Sequence, residues 1–174
     1  MGTKRVGLAR TQALIQNLKR EMTAGSANIR LFVADQPQLQ TYVYKWTFGT
    51  DTATATEHVL KGADGGTLQI PAGFVITGGW LEVDTAVTSA GAATVEIGAA
   101  TSGGLDDPNG FVTSIAKGSL TTASVHPFDG ALAHNTTAKG SKAVAADSVV
   151  ITIGTAALTA GKLYVYVQGY QSLG

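Results

Sequence analysis

Cysteine is absent from the 174-residue chain, and charged residues are scarce. Without cysteine, a disulfide framework, thiol catalysis and a thiolate metal site are all excluded. Charged residues make up 14% of the chain and hydrophobic residues 44%, whereas an average soluble domain has about 25% charged residues. A surface poor in charge and rich in Ala, Thr and Gly suits a protein that is packed in an assembly. An ordinary β-protein with a neutral Thr and Ser surface is the alternative.

Long apolar segments are also missing. The opening residues Met1–Val6 lack the apolar core of a secretory signal, and the apolar runs further along are too short and too rich in glycine to span a bilayer. We therefore expect a soluble protein with no membrane partner.

The net charge is zero, because twelve Lys and Arg balance twelve Asp and Glu, so nucleic acid is not expected as the main partner. The distribution of charge is uneven. Residues 1–22 hold five basic residues against Glu21 alone, which gives +4 (5 − 1) and leaves −4 for the rest. The five basic residues are Lys4, Arg5, Arg10, Lys19 and Arg20. A basic N-terminal arm thus precedes a mildly acidic body.

The arm contains the one helix that the sequence predicts. Thr11 can cap this helix, and apolar residues recur along it at spacings of one, three and four, at Leu14, Ile15, Leu18 and Met22. Lys19 and Arg20 fall in its last turn, where positive charge complements the helix dipole, and Ala-Gly-Ser at 24–26 stops it. We expect residues 1–26 to form an arm that binds a partner through these basic and apolar residues. One alternative is a helix packed on its own sandwich or on a sister subunit. Another is an arm whose positive charge contacts DNA, which the five basic residues permit without demanding it.

After residue 27 the hydrophobic period changes to two, and β-branched and aromatic residues fill short runs between Gly, Asp, Pro and Ser. Alternation in the last run places Leu163, Val165 and Val167 on one face and aromatic residues on the other. The predicted strands are Ile29–Ala34, Thr41–Phe48, His58–Lys61, Thr67–Ile70, Phe74–Val87, Ala93–Ala99, Phe111–Ser114, Ser148–Gly154 and Lys162–Tyr170.

Such a series of strands, without alternating helices, predicts an all-β domain over residues 27–174. We expect a jelly-roll-like antiparallel β-sandwich, with an Ig-like sandwich as the alternative. The stretches Thr50–Thr56 and Thr121–Ala145 are expected to be long loops available for contacts. The glycines around Gly78 predict a turn or a bulge.

Residues that could bind a metal lack the required spacing. No pair among His58, His126 and His134 has the i,i+4 spacing of a helical metal site. The segment Leu105–Gly110 contains oxygen ligands and a glycine, but it lacks the spacing of an EF-hand calcium loop, and its Asp-Pro-Asn-Gly sequence is typical of a turn. The sequence therefore predicts no metal and no cofactor.

The acidic residues of the strands allow one enzymatic hypothesis. Glu82 and Asp84 share a strand face with Trp80 and, together with Glu96, could suggest a glycosidase. Period two equally places these residues on a solvated outer face, which is the stronger interpretation, so we predict a protein that is not an enzyme. A carbohydrate-binding surface is a further alternative, because four aromatic residues could stack on sugars: Trp46, Trp80, Tyr164 and Tyr166.

The segment Leu68–Gly98, LQIPAGFVITGGWLEVDTAVTSAGAATVEIG, resembles a pattern found in structural proteins of tailed phages. A closing strand like Gly161–Val167 (GKLYVYV) belongs to the same pattern, and Met1–Arg20 is similar to the starts of virion proteins of marine and cyanobacterial phages. The resemblance implies a jelly-roll-type cement or decoration protein on the capsid exterior, often trimeric. Such a protein binds the major capsid protein and stabilises the head. We also expect the chain to bind copies of itself as a homo-oligomer, with a trimer favoured.

The same resemblance implies a virion location with assembly in the host cytoplasm, and no small-molecule substrate. Fibre and tail proteins share the pattern. A head fibre, or a tail component that binds a receptor or carbohydrate, is therefore the alternative function.

Overall fold

The computed structural model describes residues 38–100, 104–133 and 141–172. Apart from one 3-10 turn at Lys117–Ser119, every regular element in these ranges is a strand, so the all-β class is confirmed. The predicted N-terminal helix and the strand Ile29–Ala34 lie outside the described residues. The strands are β1 (Leu39–Thr47), β2 (Glu57–Val59), β3 (Lys61–Gly62), β4 (Gln69–Ile70), β5 (Phe74–Ser89), β6 (Thr94–Ala99), β7 (Val112–Ala116), β8 (Val125–Pro127), β9 (Asp147–Gly154) and β10 (Leu158–Gln171).

The strands form two antiparallel sheets. Sheet one has the order β3-β1-β10-β5-β8, and sheet two has the order β2-β9-β6-β7, with β4 also paired to β9. If the two-residue strands β3 and β4 are left aside, eight strands remain, and they pair from the outside of the sequence inwards. The first pairs with the last (β1 with β10), followed by β2 with β9, β5 with β8, and β6 with β7.

Alternation along the strands places apolar side chains in one core between the sheets. On β10, Leu163, Val165 and Val167 are at most 1% exposed, so the predicted core face of this strand is confirmed. Burial of one such side chain stabilises the fold by about 1.5–3 kcal/mol. Further core residues come from both sheets, among them Trp46, Ile76, Leu81, Val95, Ile97, Val149, Ile151 and Ile153.

A bulge in β5 decides which of its residues face outward. The register of β5 against β10 slips by one residue at Thr77, as the neighbouring glycines predicted. Ile76 before the bulge is buried, so strict alternation would bury Trp80 as well and expose Leu81. The extra residue inverts this pattern, because Leu81 is fully buried and Trp80 is partly exposed.

The stretch Thr121–Ala145, predicted to be a loop, is partly regular. It contains β8, which pairs with β5, and Phe128, whose ring stacks on Phe111 with centroids 5.0 Å apart. The prediction was wrong here because a three-residue strand that includes a proline carries almost no periodic signal. The stretch Thr50–Thr56 contains no strand, as expected, and it is tied to the sandwich by a bridge between Phe48 and Asp51.

Candidate interaction surface

The outer face of sheet one carries the aromatic surface of the sandwich. Strand β10 lies at its centre, between β1 and β5, and every second residue of β10 faces outward. We call this surface the aromatic face. Its residues are Leu39, Thr41, Val43, Lys45 and Thr47 on β1, Lys162, Tyr164, Tyr166, Gln168 and Tyr170 on β10, Val75, Trp80, Glu82 and Asp84 on β5, and Val125 on β8.

A stacked aromatic pair lies at the centre of the aromatic face. Trp80 is paired with Tyr166 across β5 and β10, and their rings are stacked with centroids 4.8 Å apart and an interplanar angle of 15°. Val43 on β1 completes this row. Burial, followed by the neighbouring Glu82 carboxylate, raises the pKa of Tyr166, so its hydroxyl stays neutral at physiological pH. The stacking holds two large side chains in fixed positions, which lowers the entropy cost of covering them with a partner.

The next row of the aromatic face carries opposite charges at its two sides. Lys45, Tyr164 and Glu82 are aligned across β1, β10 and β5. Lys162 lies 5.0 Å above the Tyr164 ring, and its Nζ is 3.4 Å from Asp84 Oδ2. Hydrogen bonding with Tyr164 and then with Asp84 raises the pKa of Lys162. An exposed ion pair of this kind stabilises the fold little, but it orients the lysine along the face.

The outer face of sheet two is different in chemistry. Its central row is Glu57, Thr152 and Glu96, which is polar and acidic. Part of this face is covered by a loop, because a Cβ on Gly98 would collide with the backbone of Asp107 and Pro108. Large aromatic residues are typical of the buried centre of protein interfaces, and the four charged residues of the aromatic face, Lys45, Lys162, Glu82 and Asp84, sum to zero. The aromatic face of sheet one is therefore the surface of the sandwich best suited to a partner.

The residues predicted to bind a partner through the arm all lie outside the described residues. Partner binding by the arm therefore stays a prediction. The residues concerned are Lys4, Arg5, Arg10, Leu14, Ile15, Leu18, Lys19, Arg20 and Met22.

The carboxylates of the glycosidase hypothesis do not come together. Glu82 and Asp84 lie beside Trp80 on the outer face of sheet one, as period two predicted. Glu96 is on β6, where it pairs with Thr152 on the outer face of sheet two. Packed sheets are about 10 Å apart, and these side chains point away from each other on opposite sides of the sandwich. The geometry thus excludes a catalytic pair between Glu96 and either of the other two.

Trp46 is not available to a ligand. It is 1% exposed, and its indole N–H donates a hydrogen bond to the Thr52 carbonyl at 3.0 Å. The inclusion of Trp46 among the sugar-stacking residues was therefore wrong. Sequence could not separate Trp46 from Trp80, because both lie in alternating runs, and the bulge in β5 turns only Trp80 outward.

The described histidines have protein partners. His58 Nε2 is 2.9 Å from the Thr54 carbonyl oxygen, and His126 Nε2 is 3.2 Å from Ser124 Oγ. His134 lies outside the described residues. Residues 38–100, 104–133 and 141–172 contain no group of three or more His, Cys, Asp or Glu that could hold a metal ion.

The predicted turn at Leu105–Gly110 is confirmed, since the Gly110 N–H donates to the Asp107 carbonyl at 3.1 Å. The Leu105 N–H donates to Oδ2 of Asp147 at 2.7 Å. Asp147 is 1% exposed, and sequence reasoning missed it because a carboxylate at the start of a strand carries no signal of burial. Its Oδ1, like the Tyr44 hydroxyl, has no hydrogen-bond partner in the part of the chain that the structure describes. Burial is the main cause that raises the pKa of Tyr44.

Within the described ranges, no helix is long and apolar enough to cross a membrane. No protein-family model matches the sequence, and no curated protein matches it either. Solved structures that match the chain include chains of two phage capsids. A chain of the cyanophage Pam1 capsid asymmetric unit is 18% identical with a TM-score of 0.54, over 78% of this chain and 86% of that one. A chain of the acidic stable capsid structure of Helicobacter pylori bacteriophage KHP30 is 16% identical with a TM-score of 0.48, over 78% of this chain and 93% of that one. The Pam1 match confirms the resemblance to phage virion proteins at the level of the fold.

Proposed function

We propose that this protein is a structural component of a phage virion, and more specifically a cement or decoration protein. In this role it binds the major capsid protein on the outside of the head and stabilises the shell. The observation that carries the proposal is the fold shared with a chain of the cyanophage Pam1 capsid asymmetric unit, over 86% of that chain. The phage-like segments Leu68–Gly98 and Gly161–Val167 fall on β4 to β6 and on β10 of the sandwich.

The strand pairing supports a jelly roll as the detailed topology of the sandwich. A jelly roll has eight antiparallel strands in two sheets, and a hairpin folded over on itself pairs the first strand with the last and continues inwards. The pairs β1–β10, β2–β9, β5–β8 and β6–β7 follow that order. This architecture is used by viral capsid proteins and also by lectins, so topology alone does not decide between these functions.

The disposition of the acidic residues supports a structural role for the protein instead of an enzymatic one. Asp84 is used in an ion pair with Lys162, and Asp51 in another with Lys61 at 3.2 Å. Glu96 is separated from Glu82 by the thickness of the sandwich. Asp51 and Asp84 therefore serve surface pairing.

The mechanism of a cement protein follows from multiplicity. Each copy buries surface across a boundary between capsid subunits, so that rupture of the shell must break these contacts as well as its own. A standard interface of about 1,600 Å² in total is sufficient when it is repeated many times over one shell. The aromatic face offers fixed rings for such a contact. The basic arm at residues 1–26 would add electrostatic attraction to an acidic groove of the shell.

The test compares heads that carry this protein with heads that lack it. We expect both to assemble, and we expect heads without it to release DNA at a lower temperature, since the protein adds interfaces to a closed shell. The measurement is DNA release followed by dye fluorescence during heating. Equal release temperatures, at full occupancy confirmed by gel densitometry, would remove the cement function.

A second experiment tests the arm. Deletion of residues 1–26 should leave the sandwich folded, because its core comes from strands that begin at Leu39. Binding to empty heads should fall sharply. Leu18→Asp should speed dissociation from the heads, because burial of an unpaired carboxylate costs several kcal/mol. Lys4→Glu reverses a charge of the arm and should mainly slow association. If the truncated protein unfolds, the helix belongs to its own core. If it still decorates heads fully, attachment comes from the sandwich.

A carbohydrate-binding head fibre or tail component is the second candidate function. The observation that favours it is the outward position of Trp80 beside Tyr166 on the outer face of sheet one, since aromatic rings can stack on sugars. Parallel binding assays with empty heads and with a panel of host glycans separate the two functions. Glycan binding that is lost in Trp80→Ala, without any binding to heads, would favour the second.

A further inference from the structure

We propose that the aromatic face is self-complementary, and that it packs against the aromatic face of a second copy about a two-fold axis parallel to β10. This inference goes beyond a role in the virion, because it concerns contact between two copies of the chain. It rests on the positions of two charges and on the chemistry of the neighbouring row.

Lys45 and Glu82 lie symmetrically on either side of the central strand. Both align with Tyr164, one on β1 and the other on β5, so each is about 4.8 Å from β10 across the sheet. A two-fold rotation about an axis along β10 exchanges these two sides and leaves the row in place. Lys45 of each copy then faces Glu82 of the other, and one operation forms two identical ion pairs. Such self-complementarity is the requirement for a two-fold interface.

These two charges are the ones that the aromatic face does not neutralise within a copy. Lys162 is balanced by Asp84 at 3.4 Å, and Lys61, which continues the Lys45 row on β3, is balanced by Asp51 at 3.2 Å. Neither Lys45 nor Glu82 has an ion-pair partner among the residues that the structure describes. A second copy supplies the missing opposite charge to both at once.

The row next to Lys45 and Glu82 consists of apolar side chains, and the same rotation brings these side chains of the two copies into contact. Val43 on β1 and Trp80 on β5 flank Tyr166. The rotation places Val43 of one copy opposite Trp80 of the other, and the two Tyr166 rings meet near the axis. Sheets that pack face to face keep their strands within about 30° of each other, which an axis along β10 allows.

An axis perpendicular to the strands would not work. Placed through the Tyr164 row, it would bring Lys45 opposite Lys45 and Glu82 opposite Glu82, and like charges directly opposite each other are destabilising. The axis along β10 brings only one like-charged pair of the aromatic face together, Lys162 of each copy, and each of these lysines is already paired with Asp84 at 3.4 Å. The unpaired charges, Lys45 and Glu82, therefore favour the axis along β10.

The size of the face predicts how strong the contact is. Three strands about 4.8 Å apart and about nine residues long, with a rise of about 3.3 Å per residue, cover on the order of 400 Å² per copy. A stable interface buries about 800 Å² per partner. The contact is therefore weak in dilute solution, and it becomes important where many copies are held close together, as on a shell.

The test is sedimentation equilibrium of the full chain, from about 10 μM to about 1 mM, the range in which a weak contact is measurable. Lys45→Glu and Glu82→Lys each replace two attractive pairs with two repulsive ones. We expect either change to raise the dissociation constant at least about tenfold. The double variant K45E/E82K restores opposite charges across the axis and should return the constant to within about threefold of the wild type. The matched control is Glu96→Lys, which makes the same charge change on the outer face of sheet two and should have no effect.

Three results would overturn the inference. One is a wild-type protein that is monomeric over the whole concentration range. Another is a double variant that associates no better than the single ones while its circular dichroism and melting temperature match the wild type. The third is a trimer whose mass none of the substitutions alters, since a two-fold contact cannot close a trimer. If the two-fold contact is refuted but the protein still decorates heads, the proposed cement function is unaffected. The two proposals are therefore tested separately.

Discussion

Replacement of Tyr44 by phenylalanine should leave the protein at least as stable as the wild type, and more stable at alkaline pH. The hydroxyl is fully buried on the inner face of β1, and it has no hydrogen-bond partner among the described residues. An unpaired buried hydroxyl costs about 1–3 kcal/mol relative to its hydration in the unfolded chain. The substitution removes one oxygen and keeps the ring in place. We expect the free energy of unfolding at neutral pH to rise by up to that amount.

The difference should grow at high pH. Burial, with smaller contributions from Tyr42 and Asp147, raises the pKa of Tyr44 above its ordinary value of 10.0. Above pH 10.0 the unfolded chain loses the phenolic proton while the folded protein keeps it. Stability from this group is therefore fully present below the unfolded pKa and is lost as pH rises towards the folded pKa. One proton gives a slope of about −1.4 kcal/mol per pH unit. The Tyr44→Phe variant lacks that proton and should lack that part of the slope.

The assay is urea unfolding of the full chain at several pH values between pH 7 and about pH 11, with both proteins measured side by side. Tyr170→Phe, at a partly exposed position on the aromatic face, is the control for loss of any tyrosine. If Tyr44→Phe is less stable than the wild type by more than about 1 kcal/mol at neutral pH, the hydroxyl makes a hydrogen bond in the native state and the reasoning fails.

Two substitutions test the packing that positions the aromatic face and the edge of sheet two. Gly79→Ala should destabilise the fold by at least about 1–3 kcal/mol in urea unfolding, because a Cβ there would collide with the Tyr166 carbonyl oxygen and with the Phe128 ring. Gly78→Ala is the matched control, since the φ of Gly78, 155°, is close to the 158° of Gly79, and no atom lies within 4 Å of a Cβ placed on Gly78. Equal losses of stability in the two variants would refute the collision. Asp129→Ala should cost about 1 kcal/mol and speed hydrogen exchange at the Thr113 amide, because the carboxylate accepts from Thr113 N and Oγ1 at 2.8 and 2.9 Å. An unchanged rate of hydrogen exchange at the Thr113 amide would contradict this prediction.

Much of the secondary structure could be predicted from the sequence because alternation is a local property. The long strands β1, β5, β9 and β10 each contain enough residues of period two to be recognised. Strand β8 was missed because three residues are too few, and its pairing depends on the exposed edge of β5. Burial of Asp147 was missed for a related reason. Its surroundings come from Leu105, which is distant in the sequence.

The sequence by itself determined the all-β class, the exclusion of thiol chemistry, and the division of β10 into an aliphatic face and a face with Tyr164 and Tyr166. Only the tertiary structure decided that the first strand pairs with the last, and that Lys45 and Glu82 flank Tyr164 in one row. Hydrogen bonds between strands join residues far apart in the chain, and local periodicity does not encode which strands meet. Only the bulge decided that Trp80 faces outward, because one inserted residue inverts the alternation of every residue that follows it.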